Sequence, residues 1–225
     1  MNDRHGYGAP PKDLGHIDLS PTEMMFWMYC PIFVPRSERI VLPANLEQFR
    51  PIVGAVVDDL AEDGVYYYDD DLHIYLTAKT LWVSGDYIGN RPGWHSDGFG
   101  TEDRNYIWCD RAPTEFLTTG LTGDLSLSDD CDVSMAQMHA YGLRPAMYGA
   151  EIVTYPDKHL LRLFADVIHR SPVNFEPGMR TFVKVSVSKD RYDLVGNSIN
   201  HGLPKSHWAL ADRKLDRNHP QSRLA

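Results

Sequence analysis

Cysteine is scarce in this chain. Cys30, Cys109 and Cys131 are the only three, and no Cys-x-x-Cys occurs. An odd and widely spaced set excludes a disulfide framework and fits free thiols in a reducing cytoplasm. Basic residues are also under-represented: 22 lysines and arginines face 31 aspartates and glutamates, for a net charge of -9. A broad nucleic-acid surface needs a basic face, so duplex DNA or RNA is not an expected partner. Long apolar runs are missing as well. The stretch Met24 to Val34 is interrupted by Pro31 and followed by Pro35, far short of the roughly 20 apolar residues that span a bilayer. No apolar signal core follows the N-terminus. The expectation is a soluble, cytoplasmic protein with a small-molecule partner and no membrane association; the sequence implies no particular oligomeric state.

What is present suits one globular domain. The 225 residues are 43% hydrophobic and include 12 tyrosines, 8 phenylalanines and 5 tryptophans, enough to bury a substantial core. Fifteen prolines and seventeen glycines favour many turns and short strands. A single domain over 1–225 is expected, with its core at about 65–190, an irregular lead-in at 1–20 and a polar tail at 206–225. Residues 21–34 read as a short helix followed by a strand. Leu46, Phe49, Ile52, Val53, Val56, Val57 and Leu60 recur at three-to-four spacing, which predicts a helix over 45–62 that begins near Arg50, because Pro51 is best placed in a first turn. The acidic run Asp58, Asp59, Glu62, Asp63, Asp69, Asp70 and Asp71 reads as a solvated helix end and loop. From Val65 the texture is β-branched and aromatic: 65–68, 73–77, 80–83, 106–108, 151–155, 160–164, 166–169 and 180–188 are predicted strands, and the polar stretches 98–103 and 120–132 are predicted loops. The fold class is mainly β with flanking helices, a sandwich or barrel of antiparallel strands.

The chemistry-bearing residues concentrate in Gly93-Trp94-His95-Ser96-Asp97. A His-x-Asp pair is weak evidence alone, since His16-Ile17-Asp18 is another. Context separates them. His16 lies in the lead-in, whereas His95 follows strand-like sequence and a Gly/Pro turn, and residues i and i+2 of a strand share a face. Two histidines and a carboxylate can hold Fe(II) on one side and leave positions open for a cosubstrate and O2. A second histidine must come from elsewhere. His159 and His169 are both followed eleven residues later by an arginine, Arg170 and Arg180. The strand pattern favours His169 and Arg180, on adjacent antiparallel strands, with Arg170 facing away. Tyr87, Asn90, Arg91 and Trp94, next to the ligand pair, and Lys184, in alternation with Arg180, are candidates to meet a substrate.

On those residues the chain resembles the Fe(II)- and 2-oxoglutarate-dependent dioxygenases, over about residues 75–190. Their motif is His-x-Asp/Glu, a long gap, His, and an arginine about ten residues on. The resemblance implies a double-stranded β-helix (jelly-roll, cupin-like) core, with His95, Asp97 and His169 as metal ligands and Arg180 on the distal carboxylate of 2-oxoglutarate. It implies an oxygenase that uses Fe(II), 2-oxoglutarate and O2, hydroxylates an unactivated C–H bond of a small molecule, and releases succinate and CO2. The family often carries Ser or Thr two residues after the arginine. Phe182 stands there, and Tyr106 is the candidate second partner of the carboxylate. Two other readings remain open: a different cupin-type metalloenzyme, disfavoured by the absence of His-x-His, and a non-catalytic β-barrel binding protein.

Overall fold

The computed structural model describes residues 3–68, 71–120 and 123–212. Twelve strands and two α-helices follow one another as β1 (Asp3–Tyr7), β2 (Lys12–His16), β3 (Met25–Phe33), α1 (Arg50–Glu62), β4 (His73–Val83), β5 (His95–Ser96), β6 (Arg104–Cys109), β7 (Glu115–Thr118), β8 (Leu125–Ser128), α2 (Cys131–Leu143), β9 (Glu151–Thr154), β10 (His159–Leu163), β11 (Ile168–Arg170) and β12 (Gly178–Ser188). They form a six-stranded sheet in the order β2-β10-β6-β12-β4-β3, a four-stranded sheet in the order β5-β11-β7-β9, and a two-stranded ribbon, β1-β8. Every strand pairing within these sheets is antiparallel.

The largest apolar core lies outside the six-stranded sheet, under α1. Ile52, Val53, Val56 and Leu60 of the helix pack with Ile74, Leu76 and Ala78 of β4, Tyr106 and Trp108 of β6, and Val183, Val185 and Val187 of β12. The alternation of strand side chains then sends Thr77 and Lys79, Asn105 and Ile107, and Phe182 and Lys184 to the opposite face, between the two sheets. A smaller cluster of Ile107, Phe116, Leu161, Leu163 and Val167 fills one part of that interior. On the far side of the four-stranded sheet, α2 and the ribbon cover Leu117 and Ile168 with Leu125, Leu127, Met138 and Trp94. Each sheet therefore has an apolar outer face under a helix, and part of the space between the sheets is polar. Polar groups are costly to enclose unless they are paired, so this is where function is to be sought.

Several sequence expectations are corrected. The lead-in contains two strands, and β2 extends the large sheet beside β10. Residues 21–34 contain no helix, only β3, whose Pro31 is tolerated because β3 is an edge strand. Tyr66 to Tyr68 form a turn and not a strand, while the two strands expected at 73–77 and 80–83 are one continuous strand, β4. Helix α1 starts at Arg50 with its proline in the first turn, as its spacing predicts, after a 3-10 turn at Ala44–Phe49. The stretch 120–132 read as a loop contains β8 and the first two residues of α2; Asp130 caps the helix by accepting from the backbone N–H of Asp132 and Val133.

The acidic run is not uniformly solvated either. Asp59 is 3% exposed. It accepts from Lys12 Nζ at 2.7 Å, Tyr106 Oη at 2.8 Å and Arg162 Nη1 at 2.8 Å. Burial alone raises the pKa of this carboxyl; the three donors outweigh that effect and keep it below the ordinary value. The cluster ties α1 to β2, β6 and β10. Asp69 and Asp70 lie outside the described residues.

Candidate metal centre

His95 and His169 are direct cross-strand neighbours, β5 against β11, with ring centroids 4.5 Å apart. Asp97 lies one residue beyond the end of β5, and its Oδ2 is 3.6 Å from His169 Nε2. One ligand atom from each of His95, Asp97 and His169 can be chosen so that all lie within 4.8 Å of one another, and this is the only such group of three or more His, Cys, Asp or Glu side chains among the described residues. The rival pair is apart from it: His16 and Asp18 are exposed, and Asp18 is held by Lys158 at 2.5 Å. His159, the other histidine with an arginine eleven residues on, bonds Asp13 across β2 and β10.

The two imidazoles are set up as ligands. His95 Nδ1 is 2.9 Å from the Gly93 carbonyl oxygen, and His169 Nδ1 is 3.2 Å from that of Val167. A carbonyl only accepts, so both Nδ1 atoms donate, and Nε2 is the nitrogen each ring has left for a metal. Burial, then the neighbouring His169, pushes the His95 pKa down to about 3, so its ring is neutral at physiological pH. For Asp97, burial works to raise the pKa, but Lys184 and the two histidines hold it well below the usual carboxylate range. Two imidazoles and one ionised carboxylate thus form a donor set of the kind that holds a divalent metal.

Lys184, a candidate to meet a substrate, lies in the cavity beside Asp97. Its Nζ donates to Asp97 Oδ2 at 2.9 Å and to Tyr29 Oη at 3.2 Å, and it stands 5.0 Å from the centre of the Tyr29 ring. Burial lowers the pKa of this amine, but Asp97 and Tyr29 together outweigh that and raise it, so Lys184 is charged. Tyr29 was not anticipated from the sequence. It sits where the pairing of β3 with β4 slips between Trp27 and Cys30, and its φ of 47° is in the left-handed region. The distorted backbone at this bulge aims the ring at Lys184.

Around these groups is a cavity of about 310 Å³. Of the residues proposed to meet a substrate, Asn90, Arg91 and Lys184 line it. Tyr87 and Trp94 do not. Tyr87 is 57% exposed in a short bridge to Ser84. Trp94 is buried behind the ligands, stacked under Arg170 at 4.4 Å, and it fills the space that a side chain at Gly142 would occupy. Arg170 faces away from the site, as expected, and pairs with Glu115 at 2.6 Å.

Arg180 is on the strand that carries Lys184, and alternation places it on the same inward face. It is 3% exposed, its Nε donates to the carbonyls of Arg111 and Ala112 at 3.1 Å each, and its Nη2 is buried with no hydrogen-bond partner among the described residues. A guanidinium nitrogen left in that state implies an absent acceptor. His169 and Arg180 are not on adjacent strands as the sequence suggested: β11 belongs to the four-stranded sheet and β12 to the six-stranded one. Tyr106 is a clear correction. It is opposite Val185 in the register and shares that residue's outward face, so its hydroxyl serves Asp59 beneath α1 and cannot reach the cavity. Thr114 lines the cavity, and both it and Arg180 lie near Cys109; Arg180 itself is not among the residues that line the cavity.

Lys79 also escaped the sequence reading. It points into the cavity from the middle of β4, opposite Phe182. A lone lysine inside a strand of apolar and β-branched residues was the available signal.

The sequence matches no family model, and it has no significant match among the curated proteins. No helix among the described residues is long and apolar enough to cross a membrane.

Proposed function

We propose that the protein is an Fe(II)- and 2-oxoglutarate-dependent oxygenase acting on a small molecule. The observation that carries this reading is the His95/Asp97/His169 group, with both Nδ1 atoms tied to backbone carbonyls, near a buried arginine whose Nη2 has no acceptor among the described residues. This donor set, with room left beside it, has the residue types that a two-histidine, one-carboxylate iron site uses. The order of strands supports a double-stranded β-helix. Of β4 to β12, leaving out β8, strands β4, β6, β10 and β12 lie in the large sheet, and β5, β7, β9 and β11 in the small one. The ligands then sit on the small sheet and Arg180 on β12 of the large sheet.

Within that reading each residue has a task. His95, Asp97 and His169 hold the metal. Arg180 receives the distal carboxylate of 2-oxoglutarate with its unused guanidinium N–H, and Thr114, in place of Tyr106, is the nearby side chain able to add a hydroxyl. Lys184 keeps Asp97 ionised in the buried site. Bound Fe(II), with 2-oxoglutarate and O2, would supply the oxidation and release succinate and CO2, so the protein contributes position and electrostatics and needs no general base of its own.

The test is metal and cosubstrate binding by the purified protein. About one equivalent of Fe(II) or Mn(II) should bind, and 2-oxoglutarate added anaerobically to the Fe(II) form should produce a visible charge-transfer band. Succinate should accumulate in air. Asp97→Ala and His169→Ala should each lose metal affinity at least a hundredfold while far-UV circular dichroism is unchanged. Equal succinate yield from the double variant would sink the proposal.

A further inference from the structure

The cavity is strongly cationic within an acidic protein. Of the residues that line it, Lys79, Arg91 and Lys184 are cations, and Asp97 is the only carboxylate. Lys184 is matched by Asp97 at 2.9 Å. Arg91 is exposed and meets a sulfur, its Nη2 lying 2.5 Å from Met135 Sδ. Lys79 differs from both. It has no carboxylate partner among the described residues; its Nζ donates to the Gly89 carbonyl at 3.1 Å and to Asn90 Oδ1 at 3.3 Å, both neutral. The Phe26 ring lies 5.2 Å from the ammonium and is 55% exposed, while Phe182 is the cross-strand partner of Lys79. Burial, and then the positive charges of Lys184 and Arg180, lower its pKa to about 8. A half-buried cation held only by neutral acceptors and repelled by two other cations is an unbalanced charge, and such charges are normally matched by an anion.

Charge counting points the same way. A divalent metal would add two positive charges at Asp97 and the histidines. If 2-oxoglutarate brings its two negative charges to the metal and Arg180, Lys79 and Arg91 are still unmatched.

We propose that Lys79, steadied by Asn90 and with Arg91 at the same loop, binds an anionic group of the primary substrate, which is an acidic small molecule whose apolar body rests against Phe182. This assignment rests on the oxygenase reading in giving Arg180 to the cosubstrate; the anion site itself does not. The cavity is at the small end of ligand pockets, which favours a compact organic acid over a peptide or polymer.

The experiment uses butane-1-sulfonate, an anion that is a poor metal ligand, against the neutral and nearly isosteric butyl methyl sulfone. Acetylation of Lys79 by N-acetoxysuccinimide at pH 7.5 is followed by peptide mass spectrometry, with and without Mn(II) and saturating 2-oxoglutarate. The sulfonate should slow Lys79 acetylation at least fivefold under both conditions, and the sulfone should not. By calorimetry, Lys79→Gln should weaken sulfonate binding tenfold or more, Lys79→Arg should keep it within threefold, and neither should change 2-oxoglutarate affinity more than threefold. Absence of protection in the wild-type protein would overturn the proposal, and this arm needs no variant to fold. So would loss of protection when 2-oxoglutarate is bound, or a tenfold loss of 2-oxoglutarate affinity in Lys79→Gln, because Lys79 would then be the cosubstrate's anchor. Protection without any metal-dependent 2-oxoglutarate binding would keep the anion site and reject the oxygenase reading.

Discussion

Lys184→Met probes how Asp97 is held in the absence of the proposed metal. The 2.9 Å contact from Nζ to Asp97 Oδ2 corresponds to about 6 kcal/mol of Coulomb attraction at an effective dielectric constant of about 20. Desolvating both charges offsets much of that. Removing one member of a buried pair nevertheless costs about 3–5 kcal/mol, because the other charge is left uncompensated. Lys184 is 7% exposed but the Asp97 side chain is 24% exposed, which places the cost toward the lower end of that range. For a chain of this size, 3–5 kcal/mol corresponds to a fall in Tm of roughly 6–20 °C. The metal should reverse this. In the wild-type protein a divalent ion must share Asp97 with an ammonium; in the variant Asp97 is free for it. At a hundred times Kd, a bound ion contributes about 2.7 kcal/mol, and the tighter Kd of the variant should enlarge its share at any fixed concentration. Differential scanning fluorimetry in EDTA and in 1 mM Mn(II) should therefore show a lower Tm for Lys184→Met in EDTA and a larger Mn(II)-dependent rise than in wild type. A smaller rise in the variant would refute the reasoning and make Lys184 a group that assists metal binding.

Three further outcomes are expected. Arg180→Gln should weaken 2-oxoglutarate binding by about 10- to 100-fold, the worth of one or two charge-assisted hydrogen bonds, with Mn(II) affinity unchanged in the same titration. Tyr106→Phe removes one of three donors to the buried Asp59 and should cost about 1–2 kcal/mol in urea denaturation; 2-oxoglutarate binding should not change, which separates its placement under α1 from a role in the cavity. His73 is 8% exposed, and burial, then Arg191, depresses its pKa to about 4. Below pH 6.5 the unfolded chain binds a proton that the folded one refuses, so this group lowers stability as pH falls from 6.5 to about 4, by roughly 3 kcal/mol in full; His73→Gln should flatten the acid limb of a stability-against-pH curve by that order, and an unchanged limb would contradict the burial assigned to it.

The sequence alone determined the β-rich class, the start of α1 and most strand positions, because apolar periodicity reports which faces are buried whatever covers them. It also singled out His95, Asp97, His169 and Arg180, since few residue types bind metals and carboxylates and their strand context narrowed the choice. Only the tertiary structure decided which inward faces meet. Strand alternation told that Lys184 shares a face with Arg180, but not that the face opens onto Asp97 and a bulged Tyr29. Tyr106 looked equally available until the register set it beside Val185, under the helix and out of the cavity. Lys79 could not be recognised as part of the site, because the charges that surround it come from β12 and the loop at Asn90 and converge only once two sheets close over one another. Electrostatic environment depends on distances through space, and these long-range distances are what local sequence patterns do not encode.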